Sequence, residues 1–268
     1  MNQALIDQAI EYMKRQRFGE ALPLLRRAID QDPSLWNAWY MAGQCCRFLE
    51  DLDGAIEHLS RAAELKKDEA PIFLALGIAF QLRAQWGQAI ESFRRAIEID
   101  PDYELAYNSL ALTQKKQGDL DEAFHNYDAG AKALARQIVK AMRNNRNSPI
   151  LKHRETVGTL WAEYATYAAL YLVSTADGIS DIAWPTGAQA LEEERTEKHA
   201  GLYWTDVPND KRETVRLFLP NYFNTFRESL RRDIAYSNLL GNRGTVLELL
   251  GHLDEARQHF DEATEFRP

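Results

Sequence analysis

The sequence predicts an all-α protein, a solenoid in which helix pairs stack one after another along the chain. Three observations support this fold class: small and aromatic residues recur every 34 residues, apolar residues follow helical spacing, and turn-forming residues separate the helices. The chain has 268 residues, of which 45% are hydrophobic and 27% are charged. This composition is typical of a folded protein with a sizeable core.

Four columns of equivalent residues define the period. Ala21 and Ala55 stand 34 residues apart, and the same spacing leads on to Ala89 and Ala123. Because several columns stay in phase over four periods, the spacing indicates a structural repeat. The other columns are Ala9, Gly43, Gly77 and Ala111; Leu25, Leu59, Phe93 and Tyr127; and Ala28, Ala62, Ala96 and Gly130.

Each period is predicted to contain two helices. In the second period Trp39, Ala42 and Cys46 lie on one helical face, and small residues in the Gly43 column would let the paired helix approach closely. The break that follows, EDLDG at 50 to 54, contains an Asp that can cap the next helix by accepting a backbone N–H bond. A proline, as in QDPS or IDPDY, ends the second helix because it lacks an N–H.

These columns resemble the tetratricopeptide repeat (TPR) family, whose pattern is WxxLGxxY followed by A, F, A and P at this period. The resemblance implies a right-handed α-solenoid with four repeats over residues 2-131. A fifth repeat is predicted over residues 234-268. Its matching residues are Leu240, Gly244, Leu247, Ala256, Phe260, Ala263 and Pro268.

Residues 132-233 are predicted to be a helical insertion within one continuous solenoid domain. Ala123 and Ala256 stand 133 residues apart, and subtracting one period of 34 leaves 99 residues, which fits no multiple of the period. The second helix of the fourth repeat should continue to about Asn144, since no proline occurs before NSP at 147-149. After it we expect an aromatic helix, an acidic loop region and a helix pair.

The charge, hydrophobicity and cysteine content of the sequence argue against several classes of function. The net charge of -8 argues against general nucleic-acid binding, because phosphate contacts need a surplus of Lys and Arg. No apolar run approaches the length of a membrane span and the N-terminus is polar, so we expect a cytoplasmic protein without membrane association. Cys46, beside Cys45, occupies a column that faces the paired helix, which predicts a small buried hydrophobe rather than a redox pair.

The first helix of each repeat also predicts a binding surface. The stripe that faces the paired helix leaves other positions on the opposite face, which the resemblance implies lines a concave groove. We predict a noncatalytic scaffold or adaptor whose groove binds a partner helix or peptide through hydrophobic anchors. The alternative is that these side chains pack against neighbouring repeats or the insertion. The predicted groove residues are Ile6, Ile10, Tyr40, Gln44, Phe48, Leu74, Ile78, Leu82, Asn108, Leu112, Lys115 and Lys116.

One specialisation of the family is not expected here. Some members hold a peptide C-terminus with Lys and Asn side chains on successive first helices. The corresponding positions in this sequence are Ile6, Ile10, Met41, Pro71 and Ala75, so this carboxylate clamp is missing from the sequence.

A basic segment at 132-154 provides an alternative function, that of a regulatory or sensor subunit binding an anionic ligand or acidic partner. No acid occurs between Asp128 and Glu155. The opposing interpretation is that the charges are solvated or neutralised by EEERTE at 192-197. The candidate residues are Lys132, Arg136, Lys140 and Arg143.

Catalysis requires a constellation of residues that the sequence lacks. It has no Gly-rich phosphate loop, GxSxG, HExxH or Cys and His pair with ligand spacing. We therefore predict that the protein is not an enzyme and uses neither a cofactor nor a metal. A homodimer through the fifth repeat is a further hypothesis, because no capping helix follows Pro268 and repeat arrays need a polar terminal cap.

Overall fold

The fold was determined from a computed structural model, which describes residues 2-144 and 234-265. Within these ranges all regular secondary structure is α-helical, which confirms the predicted fold class. The chain forms two compact bodies, Met1–Asn126 and Tyr127–Pro268. The helices are α1 (Asn2–Lys14), α2 (Phe18–Gln31), α3 (Trp36–Phe48), α4 (Leu52–Leu65), α5 (Ala70–Leu82), α6 (Trp86–Ile99), α7 (Glu104–Gln117), α8 (Leu120–Asn144), α9 (Ile234–Leu250) and α10 (Leu253–Glu265).

Helix pairs are the building blocks of the first body. The two helices of each repeat contact each other, α1 with α2, α3 with α4 and α5 with α6, and each second helix contacts the first helix of the next repeat. The stacked pairs share apolar cores, in which Leu25, Leu59 and Phe93 are fully buried. These are members of one sequence column, so the periodic apolar residues are the ones that join the helices.

Small residues permit the close approach of paired helices, as predicted. A Cβ atom added to Gly77 would lie 2.5 Å from Cε1 of Phe93, far inside van der Waals contact. The large side chain of the second helix therefore occupies the space that a side chain on the first helix would need. The same arrangement occurs between Gly43 and Leu59 and between Gly244 and Phe260.

The turn inside each repeat has the same hydrogen-bonding pattern. In the third repeat Ala84 adopts a left-handed conformation with φ of 57°, and its N–H donates to the Gln81 carbonyl at 3.0 Å. The N–H of Gln85 donates to the Phe80 carbonyl at 2.9 Å, which completes a Schellman motif and satisfies the last carbonyls of α5. The left-handed residues of the five repeats are Gln16, Glu50, Ala84, Gly118 and Gly251.

The helix ends follow the predicted chemistry. The Asp51 side chain accepts a hydrogen bond of 3.0 Å from the N–H of Gly54, which confirms it as the cap of α4. Helix α2 ends at Gln31, and the next residue, Asp32, is extended with φ of -148° before Pro33. A following proline favours this conformation, but Lys66 at the end of α4 adopts it before Lys67, so the proline is not required for it.

Helix α8 is uninterrupted from Leu120 to Asn144. In the second body the first helix of the fifth repeat, α9, contacts α8. The Arg243 guanidinium lies 3.1 Å from the Asp128 carboxylate, and both side chains are buried. The predicted aromatic helix, acidic loop region and helix pair of the insertion lie outside the described residues.

Candidate partner-binding surface

The first helices of the first body form one continuous face. Successive first helices contact each other, α3 with α5 and α5 with α7. One of these contacts is a hydrogen bond of 2.7 Å from the Gln81 amide to the Thr113 hydroxyl. The first helices α3, α5 and α7 therefore have adjacent surfaces.

A row of half-buried polar side chains runs along α3 on this face. The Gln44 amide donates to the Tyr40 hydroxyl at 3.1 Å, and the Arg47 guanidinium donates to the Gln44 carbonyl oxygen at 3.1 Å. Burial lowers the pKa of Arg47, because the charged form loses hydration. The row therefore holds a positive charge in a partly dehydrated position, supported by neutral hydrogen-bonding groups.

The predicted groove residues differ in their exposure. Ile6 and Leu74 are only 3% and 8% exposed and belong to the apolar core, so for these two the packing interpretation holds. Both are enclosed by side chains of the neighbouring helices, which a helical period alone does not reveal. The half-buried members are Ile10, Tyr40, Gln44, Ile78, Asn108, Leu112 and Lys115, and the exposed members are Phe48, Leu82 and Lys116.

Two of the exposed members contact the preceding repeat. The Phe48 ring stacks on Phe18 with centroids 4.3 Å apart and rings nearly parallel. The Lys116 ammonium lies 5.6 Å from the centroid of Trp86. Phe18 and Trp86 begin the second helices of their repeats. This column therefore forms a border where each first helix meets the preceding repeat.

Three large apolar side chains remain exposed on successive first helices, and we call these residues the first-helix apolar patch: Phe48 and Leu82 at the C-terminal ends of α3 and α5, and Leu105 at the N-terminal end of α7. They are 52%, 55% and 47% exposed. Leu105 was not among the predicted groove residues. Its i, i+3, i+7 spacing with Asn108 and Leu112 is the signal that could have found it.

The basic segment is less accessible at its start than the sequence suggests. The Lys132 ammonium lies 3.2 Å from Asp128 on the same helix, and its side chain is only 17% exposed. Asp128 also pairs with Arg243, so Lys132 belongs to a buried ion-pair network rather than to an open cationic surface. Arg136 is half-buried, whereas the side chains of Lys140 and Arg143 lie outside the described part.

The two cysteines have the properties of core residues. Cys45 and Cys46 are fully buried, which confirms the interpretation of Cys46 as a small hydrophobe. Burial raises the pKa of the Cys45 thiol to about 12, and burial likewise raises the pKa of Cys46. Since the thiolate is the reactive form, neither residue has the environment of a catalytic nucleophile or metal ligand.

Across residues 2-144 and 234-265 no three His, Cys, Asp or Glu side chains are placed to hold a metal ion.

A cavity of about 660 Å³ lies between α5 and α6, away from the predicted groove. Its apolar walls include Phe73, Leu76 and Ile90, and its rim includes Arg95 and Glu98. These two rim residues form an ion pair of 2.9 Å, and Arg95 also lies over the Phe73 ring. The rim charges of Arg95 and Glu98 thus neutralise each other.

In the described segments no helix has the length and apolar character needed to cross a membrane.

Family sequence profiles match three parts of the chain. The profiles described as "Tetratricopeptide repeat" match residues 6–70 and 237–268, and one described as "TPR repeat" matches residues 83–118. The chain therefore belongs to the tetratricopeptide repeat proteins. Its helix pairs have the architecture of a protein–protein interaction scaffold.

Individual relatives are more distant. A peroxisomal targeting signal receptor from Kluyveromyces lactis is 28% identical over 144 residues, which are 53% of this chain and 25% of that receptor. A crystal structure of MamA is 24% identical, with a TM-score of 0.48, over 49% of this chain and 77% of MamA. The first TPR of Spaghetti (RPAP3), bound to the HSP90 peptide SRMEEVD, is 18% identical, with a TM-score of 0.43, over 44% of this chain and 93% of that one.

Proposed function

We propose that this protein is a noncatalytic scaffold or adaptor that binds a partner helix or peptide along the first helices of its repeats. The observation that carries the proposal is the first-helix apolar patch, because exposed apolar side chains on consecutive repeats favour a protein contact. The polar row on α3 supplies hydrogen-bonding groups beside the patch. Solenoids of this kind contribute extended surfaces rather than catalytic groups.

A capture experiment tests the proposal. A Leu82→Glu, Leu105→Glu double variant places charges in the patch at positions that are exposed, so the fold should tolerate it. Leu253→Glu is the matched control, since Leu253 is 65% exposed but lies in the fifth repeat. We expect proteins captured from cell extract by the wild type and the control to be lost with the double variant. Circular dichroism should show that all three proteins are folded.

Capture that is unchanged in the double variant would contradict the proposal. In that case a Lys140→Glu, Arg143→Glu variant tests the alternative, a regulatory subunit that binds an anionic ligand through the 132-154 segment. The ion pair of Lys132 with Asp128 counts against that alternative, because it removes one of the four candidate cations. Binding through the segment should also weaken with rising salt.

The binding mode should differ from that of a carboxylate clamp. Ile6 and Ile10 stand where the clamp requires polar side chains, and Ile6 is buried. We therefore expect the peptide SRMEEVD, which is bound in the solved RPAP3 structure, to show no measurable binding here. The peptide is a useful negative control in the capture experiment.

We also propose that the protein works in the cytoplasm. Both cysteines are free thiols, which agrees with a reducing compartment. Cell fractionation tests this location, and recovery of the protein in a membrane or organelle fraction would contradict it.

A further inference from the structure

Charge is distributed unevenly between the two kinds of helix in the first body. Helices α3 and α5 contain no Asp or Glu, and Arg47 is the only charged residue of the two. Helix α7 has Lys115 and Lys116 in its last turn. The second helices α4 and α6 carry Asp53, Glu57, Glu64, Glu91 and Glu98. Among the first helices, α1 contains Asp7 and Glu11, and α7 begins with Glu104. Helices α3 and α5 and the last turn of α7 therefore carry three cations and no acid, in a chain whose net charge is -8.

The cations of this face, which we call the basic row, are Arg47, Lys115 and Lys116. In the described part of the chain, none of the three forms an ion pair with a carboxylate. Arg47 bonds to Gln44 and stacks 4.2 Å from the Phe48 centroid, and Lys116 stacks on Trp86. Several other cations of the same body are paired: Arg61 with Glu64, Arg83 with Asp53 and Arg95 with Glu98.

Helix stability explains part of this distribution but not all of it. Cations in the last turn of a helix interact favourably with its dipole, and the basic row occupies such positions. The dipole equally favours acids in the first turn, yet α3 and α5 have none there. Nor does the dipole require Arg47 to be half-buried, a position whose cost shows in its lowered pKa. An acidic partner accounts for both observations.

We propose that the groove binds an acidic amphipathic segment, whose apolar side chains contact the first-helix apolar patch and whose carboxylates pair with the basic row. This inference rests on the proposed function and specifies the chemistry of the partner. Phe48 belongs to the patch and Arg47 stacks on it, so the apolar and cationic contacts are adjacent. Complementary charge across such an interface provides specificity and faster association.

The test is selection from a displayed library of random peptides of about 15 residues, a length suited to helix-in-groove binding. The library is panned on the wild type, on the patch variant Leu82→Glu, Leu105→Glu, and on a neutral variant Lys115→Gln, Lys116→Gln. A triple neutral variant adds Arg47→Gln to these two substitutions. Because Arg47 is half-buried, thermal melting of this variant shows whether it is still folded. Arg61→Gln, Arg95→Gln is the control for removal of two cations elsewhere.

We expect the selected peptides to combine apolar residues with a surplus of Asp and Glu. Their affinity should fall about tenfold in the triple neutral variant, remain unchanged in the control, and decrease with rising salt. Peptides that depend on the patch but have no acidic surplus would overturn this inference and leave the proposed function intact. If no selected peptide depends on the patch, the proposed function fails and this inference fails with it.

Discussion

Gly77 illustrates how a single residue controls the approach of two helices. An added Cβ would lie 2.5 Å from the Phe93 ring, and Phe93 is fully buried and unable to move away. We expect Gly77→Ala to destabilise the fold by about 1 to 3 kcal/mol through overpacking. The measurement is urea unfolding followed by circular dichroism.

Gly87→Ala is the matched control, because Gly87 belongs to the paired helix α6 and has no atom within 4 Å of an added Cβ. It should be neutral or slightly stabilising, since alanine favours helix more than glycine does. Equal unfolding midpoints for the two variants would show that close packing at Gly77 does not determine the stability of the fold.

The buried thiol of Cys45 makes the stability of the fold depend on pH. Its pKa is raised by burial from 9.0 to about 12, so the thiolate forms more readily in the unfolded chain. The contribution of the buried thiol to stability is therefore complete below pH 9 and is lost as the pH rises toward 12. Near neutral pH we expect a thiol reagent to label the folded protein far more slowly than the urea-unfolded chain. Equal labelling rates would contradict the buried position.

The turn between the two helices of each repeat contains a residue in the left-handed conformation. Ala84 has φ of 57°, a conformation that costs most side chains but not glycine, and Gly118 occupies the equivalent turn with φ of 91°. We expect Ala84→Gly to stabilise the protein by up to about 1 kcal/mol and Gly118→Ala to destabilise it by about the same amount. Unfolding midpoints that shift in the same direction would rule out this explanation.

The contact between α8 and α9 depends on Asp128. Its carboxylate lies 3.1 Å from Arg243 and 3.2 Å from Lys132, and all three side chains are largely buried. Asp128→Asn removes the negative charge and leaves the cations in a poorly hydrated place, so we expect a loss of about 3 kcal/mol. Hydrogen exchange of α8 and α9 should accelerate with it. The exposed pair Arg83 and Asp53 provides the control, and Asp53→Asn should change the midpoint little.

The whole molecule raises the question of self-association, and the surface of the last described helix favours a single chain. Two positions of the repeat are half-buried isoleucines in α6, Ile90 and Ile97. The equivalent positions in α10, 167 residues later, are the exposed Arg257 and Thr264. Polar residues there suit a helix that faces solvent. We expect sedimentation to give the mass of one chain over a wide concentration range.

A homodimer in that experiment would contradict this expectation. The exposed Leu249 and Leu253, which are 59% and 65% exposed, are then the first candidates for the interface. Dissociation by Leu253→Glu would place the contact at the fifth repeat, whereas persistence of the dimer would move it elsewhere.

The sequence was sufficient to predict much of the fold, because a 34-residue period combined with helical spacing leaves few arrangements of the chain. The helix pairs, the close approach at Gly77, the Asp51 cap and the extension of α8 to Asn144 all rest on local patterns of this kind. The left-handed turn residues could also have been found, from Gly118 and Gly251 in one column.

The contacts between neighbouring repeats could be identified only from the three-dimensional structure. Helical spacing assigns Leu74 and Leu82 to the same outer face, yet Leu74 is 8% exposed and Leu82 is 55% exposed, because neighbouring helices cover one and not the other. The ion pair of Arg243 with Asp128 joins residues more than a hundred positions apart. Periodicity describes one helix at a time, whereas burial and ion pairing depend on which helices meet.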